Sequence, residues 1–189
     1  MRAFIAIEIP EDVKQKIAKF QSKLEKADIF RGRFVEKENL HLALKFLGEI
    51  SEADVHKISK VLEEMCKKFK GFTLFLKGVG AFPSEDYVRV CWAGVDTGGL
   101  KAKELHLHVD RVLASIGSFK PDARYANHIT LARVRSVIDK KKLAALFEDN
   151  KEKEFGSFDV KEIKLIKSEL TSQGPVYETL AKFDLAGPH

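Results

Sequence analysis

Apolar positions along this 189-residue chain alternate between two periods, and that alternation lays out a fold. From Phe4 the run FIAIEI reads as a strand. The stretch opened by Pro10 then places Val13, Ile17, Phe20 and Leu24 at helical spacing, which predicts an amphipathic helix. After Gly32, FVEKENLHLALKFLG reads as a strand carrying His41. Ser51-Glu52-Ala53-Asp54 has the form of a helix cap, and Val55, Ile58, Leu62, Met65 and Phe69 continue it as a buried helix face. GFTLFLKGVGAF, from Gly71, returns to a strand.

The same order then begins again. YVRVCWAGV from Tyr87 reads as a strand, and after Gly98-Gly99 a helix is marked by Leu105, Val109, Val112 and Ile116, with Gly117 as its C-cap. A loop leads to a strand carrying His128. A short helix near Lys140 to Phe147 follows, then GSFDVKEIKLIKSEL, then a last strand, YETLAKFDL. Nearly the same interval separates Ile5 from His41 as Cys91 from His128, and the first and third apolar helices share one spacing. An internal duplication explains both coincidences, although short α+β chains also alternate strand and helix without one. The expected fold is α+β: one domain over residues 1–189, with two pseudo-symmetric lobes near 1–86 and 87–189 and the possibility of strand exchange. Largely antiparallel sheets would line a central cleft with helices outside.

Composition narrows the class. The chain is 44% hydrophobic and 32% charged, enough apolar content for a sizeable core and too polar for a fibrous or membrane protein. No apolar run approaches the ~18 residues of a membrane span, and Ala3 to Ile7 is stopped by Glu8 and Pro10, too short for a secretory segment. A cytoplasmic monomer without membrane contact is therefore expected. Cys66 and Cys91 have no metal-like or redox-like spacing and read as free, buried thiols. The net charge of +5 favours encounter with a polyanion such as RNA, though lysines such as Lys67, Lys68, Lys70 and Lys140 to Lys142 also suit ordinary solvated helix faces.

Chemistry concentrates in two similar segments, His41-Leu42-Ala43-Leu44 in NLHLALKFLGE and His128-Ile129-Thr130-Leu131 in NHITLARV. Strand alternation points His41, Ala43 and Lys45 to one side and Leu42, Leu44 and Phe46 to the other. By the same parity, His128 and Thr130 look out while Ile129 and Leu131 pack inward. A single histidine is more often solvated or satisfied in a core; two in corresponding positions are a candidate acid–base pair, because an imidazole exchanges protons near neutrality. The other histidines lack this support. His56 lies on a helix, His106 and His108 diverge along another, and His189 is terminal, so none forms a metal cluster. Tyr87, Tyr125, Tyr177 and Trp92 are candidate stacking surfaces for bases as well as ordinary packing residues. No G-x-x-x-x-G-K-[ST] segment is present, and Gly78-Val79-Gly80 is too short for a dinucleotide loop.

These paired segments, together with the opening MRAFIAIEIP, resemble the two-histidine phosphoesterases, specifically the LigT-like RNA 2′,3′-cyclic phosphodiesterases also described as 2′-5′ RNA ligases. The resemblance covers essentially the whole chain. It implies a bilobal α+β fold, no metal or nucleotide cofactor, and action on RNA with 2′,3′-cyclic phosphate ends, tRNA fragments among the candidate substrates. It further implies that His41 protonates the leaving 3′ oxygen and His128 activates water, leaving a 2′-phosphate. Reversible, ATP-independent 2′-5′ joining, which reuses the energy of the cyclic phosphate and runs as the reverse of cleavage, is implied as a side activity. The residues alone leave those two roles interchangeable. Thr130 is the candidate donor to the phosphoryl oxygens, whereas Ala43 stands where the family pattern has Thr or Ser. That departure keeps open a weakened module that binds RNA ends or nucleotides without turnover. The resemblance also carries a phosphate contact to Arg133 and a nucleotide contact to Phe46. Strict alternation turns both away from the histidines, so either a bulge re-aims them at the strand end or the carry-over fails. Lys45 is a candidate source of positive charge beside His41.

Overall fold

In the computed structural model, which describes residues 1–117 and 119–187, the alternating pattern becomes four helices behind one antiparallel sheet of nine strands. His189 lies outside the described residues. In chain order the elements are β1 (Arg2–Glu8), α1 (Glu11–Ala27), β2 (Phe30–Phe34), a 3-10 turn (Lys37–Asn39), β3 (His41–Glu49), α2 (Glu52–Cys66) and β4 (Phe72–Pro83). There follow β5 (Val88–Val95), α3 (Gly99–Ser115), β6 (His128–Val137), α4 (Lys140–Asp149), β7 (Glu154–Val160), β8 (Glu162–Thr171) and β9 (Gly174–Asp184).

The order across the sheet is β7-β4-β5-β6-β3-β1-β8-β9, with β2 also paired to β6. The α+β class is as expected, but the two sheets anticipated from the sequence are continuous. They join at one register pair, Leu42 with Ile129, between β3 and β6. Beyond that pair the strands part, and β2 takes the place beside the far half of β6, from Phe34 opposite Ala132 to Phe30 opposite Val137. Gly32 permits this approach: a Cβ there would lie 2.2 Å from the Arg133 carbonyl oxygen. The chain crosses between halves, since β4 lies beside β5 while β8 and β9 close the side built on β1.

Alternation along β1 shows how the two faces are used. Ile5 and Ile7 enter the main core with Val13, Ile17 and Leu24 of α1, Ile58 and Leu62 of α2, and Leu105 and Val109 of α3. Phe4 and Ala6 point to the other face, where with Ile166 and Tyr177 they form a small separate apolar cluster on the cleft floor. The helices thus cover one face and leave the other open. Ser51 caps α2 through the expected box, its hydroxyl accepting from the Asp54 N–H while the Asp54 carboxylate accepts from the Ser51 N–H. Cys66 and Cys91 are buried and free, and burial pushes both thiols up to about 12, which leaves them unreactive. Among the described residues no helix is long and apolar enough to cross a membrane.

Candidate active site

The single β3–β6 pair fixes the geometry of the two motifs. Leu42 and Ile129 are buried in the core, so their neighbours face the cleft. Extending the antiparallel register by one residue sets His41 across from Thr130 and Ala43 across from His128, about a local two-fold. Each ring is held in the same way. His41 Nδ1 lies 2.7 Å from the Asn39 carbonyl, and His128 Nδ1 lies 2.8 Å from the Ala126 carbonyl. A carbonyl can only accept, so both Nδ1 atoms carry hydrogen and both Nε2 atoms are bare in the neutral rings. This is the tautomer that lets Nε2 take a proton or, once charged, give one.

Aromatic rings back each imidazole. His41 rests against Phe4, centroids 4.7 Å apart, and meets Tyr177 edge-on at 5.5 Å; His128 meets Phe82 edge-on at 4.9 Å. Burial therefore pushes the His41 pKa down to about 4, opposed by its hydrogen bond to Asn39 and reinforced by the nearby charges of His128, Lys14 and Arg133. Burial lowers His128 as well, the Ala126 bond opposing and Arg133 adding to it.

A bulge in each strand re-aims the residues on the C-terminal side of the motif. On β3 the register with β1 slips between Ala43 and Lys45, leaving Leu44 as the extra residue; on β6 the register with β5 slips between Thr130 and Ala132, leaving Leu131. Two consecutive inward residues result in each case, Leu44–Lys45 and Leu131–Ala132. Phe46 and Arg133 consequently turn to the histidine face. Phe46 is 64% exposed and packs 5.9 Å from Phe4. The charge of Arg133 acts on His41, His128 and Tyr177 alike.

The bulged carbonyls are held from behind by buried polar side chains, one from each of two helices. Gln21 of α1 donates to the Leu131 oxygen at 2.9 Å and to the Val35 oxygen at 2.9 Å. His106 of α3 lies 2.8 Å from the Leu44 oxygen and stacks on Tyr125 at 3.8 Å, while the Tyr125 hydroxyl donates to the Ala43 oxygen at 3.2 Å. Neither role is visible in an apolar pattern, because both side chains occupy positions that the helical spacing leaves polar.

Lys45 requires a correction. The bulge turns it away from His41 and into the protein, where it is 3% exposed, its ammonium 2.5 Å from Asp110, 2.9 Å from Asp122 and 2.7 Å from the Lys120 carbonyl. Burial alone would lower its pKa, but hydrogen bonds to the two carboxylates outweigh that and raise it. It supplies no charge to the cleft. The same ammonium fills the one cluster among the described residues with metal-like spacing, His106, Asp110 and Asp122. Tyr125 is likewise behind the site, and Tyr87 sits outside it, paired with Arg89. Trp92 faces Thr130 across β5 and β6 and lies flat over Gly80, where a Cβ would come within 2.4 Å of its ring. Tyr177 remains at the site.

Comparison with known proteins agrees with this arrangement. A family model described as LigT like Phosphoesterase matches residues 7–92 and 100–177. The chain is 40% identical over 183 residues to the RNA 2′,3′-cyclic phosphodiesterase of Methanocaldococcus jannaschii, covering 97% of this chain and 100% of that one. It is 34% identical over 188 residues to the protein of that name from Aquifex aeolicus, covering 99% and 98%. Among solved structures, TT0787 of Thermus thermophilus superposes with a TM-score of 0.77 at 30% identity over the whole of both chains. Escherichia coli LigT complexed with 3′-AMP superposes with 0.76 at 26% identity, over 97% and 96%. With two histidines in matching strand contexts and relatives aligned from end to end, the chain belongs to the LigT-like phosphoesterases.

Proposed function

We propose that the protein hydrolyses the 2′,3′-cyclic phosphate at RNA ends to a 2′-phosphate by acid–base catalysis between His41 and His128. The carrying observation is the matched pair of imidazoles, each with Nδ1 committed to a backbone carbonyl and Nε2 free at the cleft. His128 Nε2 takes a proton from water as its oxygen attacks phosphorus. The bond from phosphorus to the 3′ oxygen breaks, and His41 Nε2–H gives that oxygen its proton. Thr130 donates to the phosphoryl oxygens and Arg133 balances their charge. The names of the relatives support the substrate, and 2′-5′ joining would follow the same path with a 5′ hydroxyl attacking in place of water. The deciding experiment incubates the protein with a 2′,3′-cyclic-ended oligonucleotide in excess chelator. A 2′-phosphate is expected; a 3′-phosphate, or binding without any turnover, refutes the assignment.

The pH dependence is set by the lowered imidazoles. The dependence of kcat/KM reports the free protein, in which both histidines lie below their ordinary 6.5 and His41 near 4. As pH rises from acid a base appears, and as it rises further the acid is lost. Because His41, the proposed acid, is the more strongly lowered of the two, the productive form with His41 protonated and His128 neutral is the minor singly protonated form across the bell. The expected bell therefore has both limbs below pH 6.5 and falls through neutrality. A peak above 6.5 with a 2′,3′-cyclic nucleotide contradicts it.

Two substitutions test the phosphate contacts. Ala43 lies in the Thr130-like position beside His128, and Ala43→Thr is expected to raise kcat, by up to about 10²-fold if the new hydroxyl is well placed. A variant no faster than the parent shows that this position does not limit the rate. Gln21 holds the bulge that aims Arg133. Gln21→Leu is expected to reproduce most of the activity loss of Arg133→Ala, and to cost little more when added to it. Independent, additive losses in the double-mutant cycle would exclude this coupling.

A further inference from the structure

A carboxylate stands where an anion-binding cleft should avoid one. Glu8 is the direct partner of His41 across β1 and β3, so its side chain shares the cleft face one strand away. Lys164 is the partner of Ala6, which is itself the partner of Ala43, so it lies on that face two strands away. The Lys164 ammonium is hydrogen-bonded to Glu8, and Lys14 approaches the same carboxylate at 3.9 Å. Both lysines are almost fully buried, 8% and 7% exposed, while the Glu8 side chain is half exposed. These groups line a cavity of about 590 Å³ that runs from His41 past Tyr177 and Thr179 to Gln173.

Its occupant is indicated by this chemistry. A second phosphate would meet the Glu8 carboxylate, which the two ammoniums hold charged and below its ordinary range despite partial burial. A neutral ligand edge bearing both donors and acceptors meets complementary partners instead. If His41 faces the 3′ oxygen, the ribose carrying that oxygen enters the cavity on this side. Strands are about 4.8 Å apart, so Glu8 and Lys164 stand roughly one and two strand spacings beyond His41, where the base of that nucleoside arrives. Tyr177 supplies an aromatic surface along the way, 5.5 Å from His41.

The geometry points to a pocket that reads the terminal base of the RNA, with Glu8 and Lys164 as specificity-determining residues and guanine as the preferred base. Only guanine sets two adjacent N–H donors beside a carbonyl oxygen, the pattern that one carboxylate and a neighbouring ammonium satisfy together. This inference rests on the proposed orientation of the substrate, and its test uses unreactive product nucleotides so that turnover plays no part. Affinities of 2′-GMP, 2′-AMP, 2′-CMP, 2′-UMP and inorganic phosphate are measured by calorimetry for the parent and for Glu8→Gln. The doubly exchanged Glu8→Gln/Lys164→Gln is measured alongside them; it keeps the net charge and removes the Glu8–Lys164 pair together, although Lys14 and Glu162 each lose one charged neighbour.

The parent is expected to hold 2′-GMP about tenfold more tightly than the other three. In both variants that ratio falls to within about twofold. Four nucleotides bound alike by the parent, another base in first place, or a guanine preference that survives in the variants would each overturn the assignment. Absence of hydrolysis with base-selective binding intact would instead sink the reaction and leave the pocket standing.

Discussion

Alanine at His41 or at His128 is expected to lower kcat for cyclic-phosphate hydrolysis by about 10²–10⁴-fold, the range typical of a positioned proton donor or acceptor. The two losses should not multiply. Each imidazole works only while its counterpart holds the opposite protonation state, so the double variant should be little slower than the worse single one. Both rings sit at the cleft with the core residues Leu42 and Ile129 beneath them, and truncating them removes no main-core packing. Melting temperatures close to the parent's are therefore expected beside the lost turnover. Single-turnover rates at the optimum pH, with thermal unfolding in parallel, check both statements. Retention of most activity in either variant would mean that the pair is not the acid–base machinery.

The two variants should also differ in their pH profiles. Removing one imidazole leaves a single titrating group, so the bell becomes one limb: rising with pH if the remaining group is the base, falling if it is the acid. That distinction assigns the roles of His41 and His128, which periodicity leaves interchangeable. The tautomers cannot assign them, since both Nδ1 atoms donate to carbonyls in the same way.

Much of this arrangement is legible in the sequence, and the remainder is hidden for physical reasons. The helices appear because their apolar residues repeat at 3.6-residue spacing, and Val13, Ile17, Phe20 and Leu24 all reach the core. The outward parity of His41 and His128 is set by the buried Leu and Ile between motif positions. Alternation fails from Leu44 and Leu131 onward, because a bulge adds a residue without leaving a compositional mark. Lys45 is consequently misread as facing the cleft, and Phe46 and Arg133 reach the histidine face only through the bulge that strict alternation does not show. The stretch from Phe34 to Gly48 reads as one strand since its apolar residues run on, whereas Lys37–Asn39 turns and delivers the Asn39 carbonyl to His41. The break at Lys161 between β7 and β8 is hidden in the same way. Phe4 and Phe82 look like core residues in sequence; only the pairing of β1 with β3 and the placement of β4 bring them to the histidines.

Lys45→Met should be among the most destabilising single changes in the protein. The substitution keeps much of the side chain's volume but leaves Asp110 buried beside an apolar group, and breaking one side of a buried ion pair costs about 3–5 kcal/mol. At about 2–4 °C per kcal/mol for a domain of this size, the melting temperature should fall by roughly 10 °C. The loss is not confined to packing. The Lys45 ammonium also binds Asp122 and the Lys120 carbonyl, and the Asp110 carboxylate accepts from the Asp122 N–H at 2.7 Å. Together with Tyr125, this ties the segment that delivers His128 onto the bulge that follows His41. Since β3 and β6 share one register pair, that tie carries much of the alignment between the two imidazoles. Lys45→Met should therefore lower kcat even at temperatures where the variant stays folded. Neutralising the orphaned carboxylate in Lys45→Met/Asp110→Asn should recover stability more than rate, because the link to the 119–127 segment stays broken. Full recovery of both, followed by thermal unfolding and single-turnover kinetics, would show that Lys45 serves the fold alone.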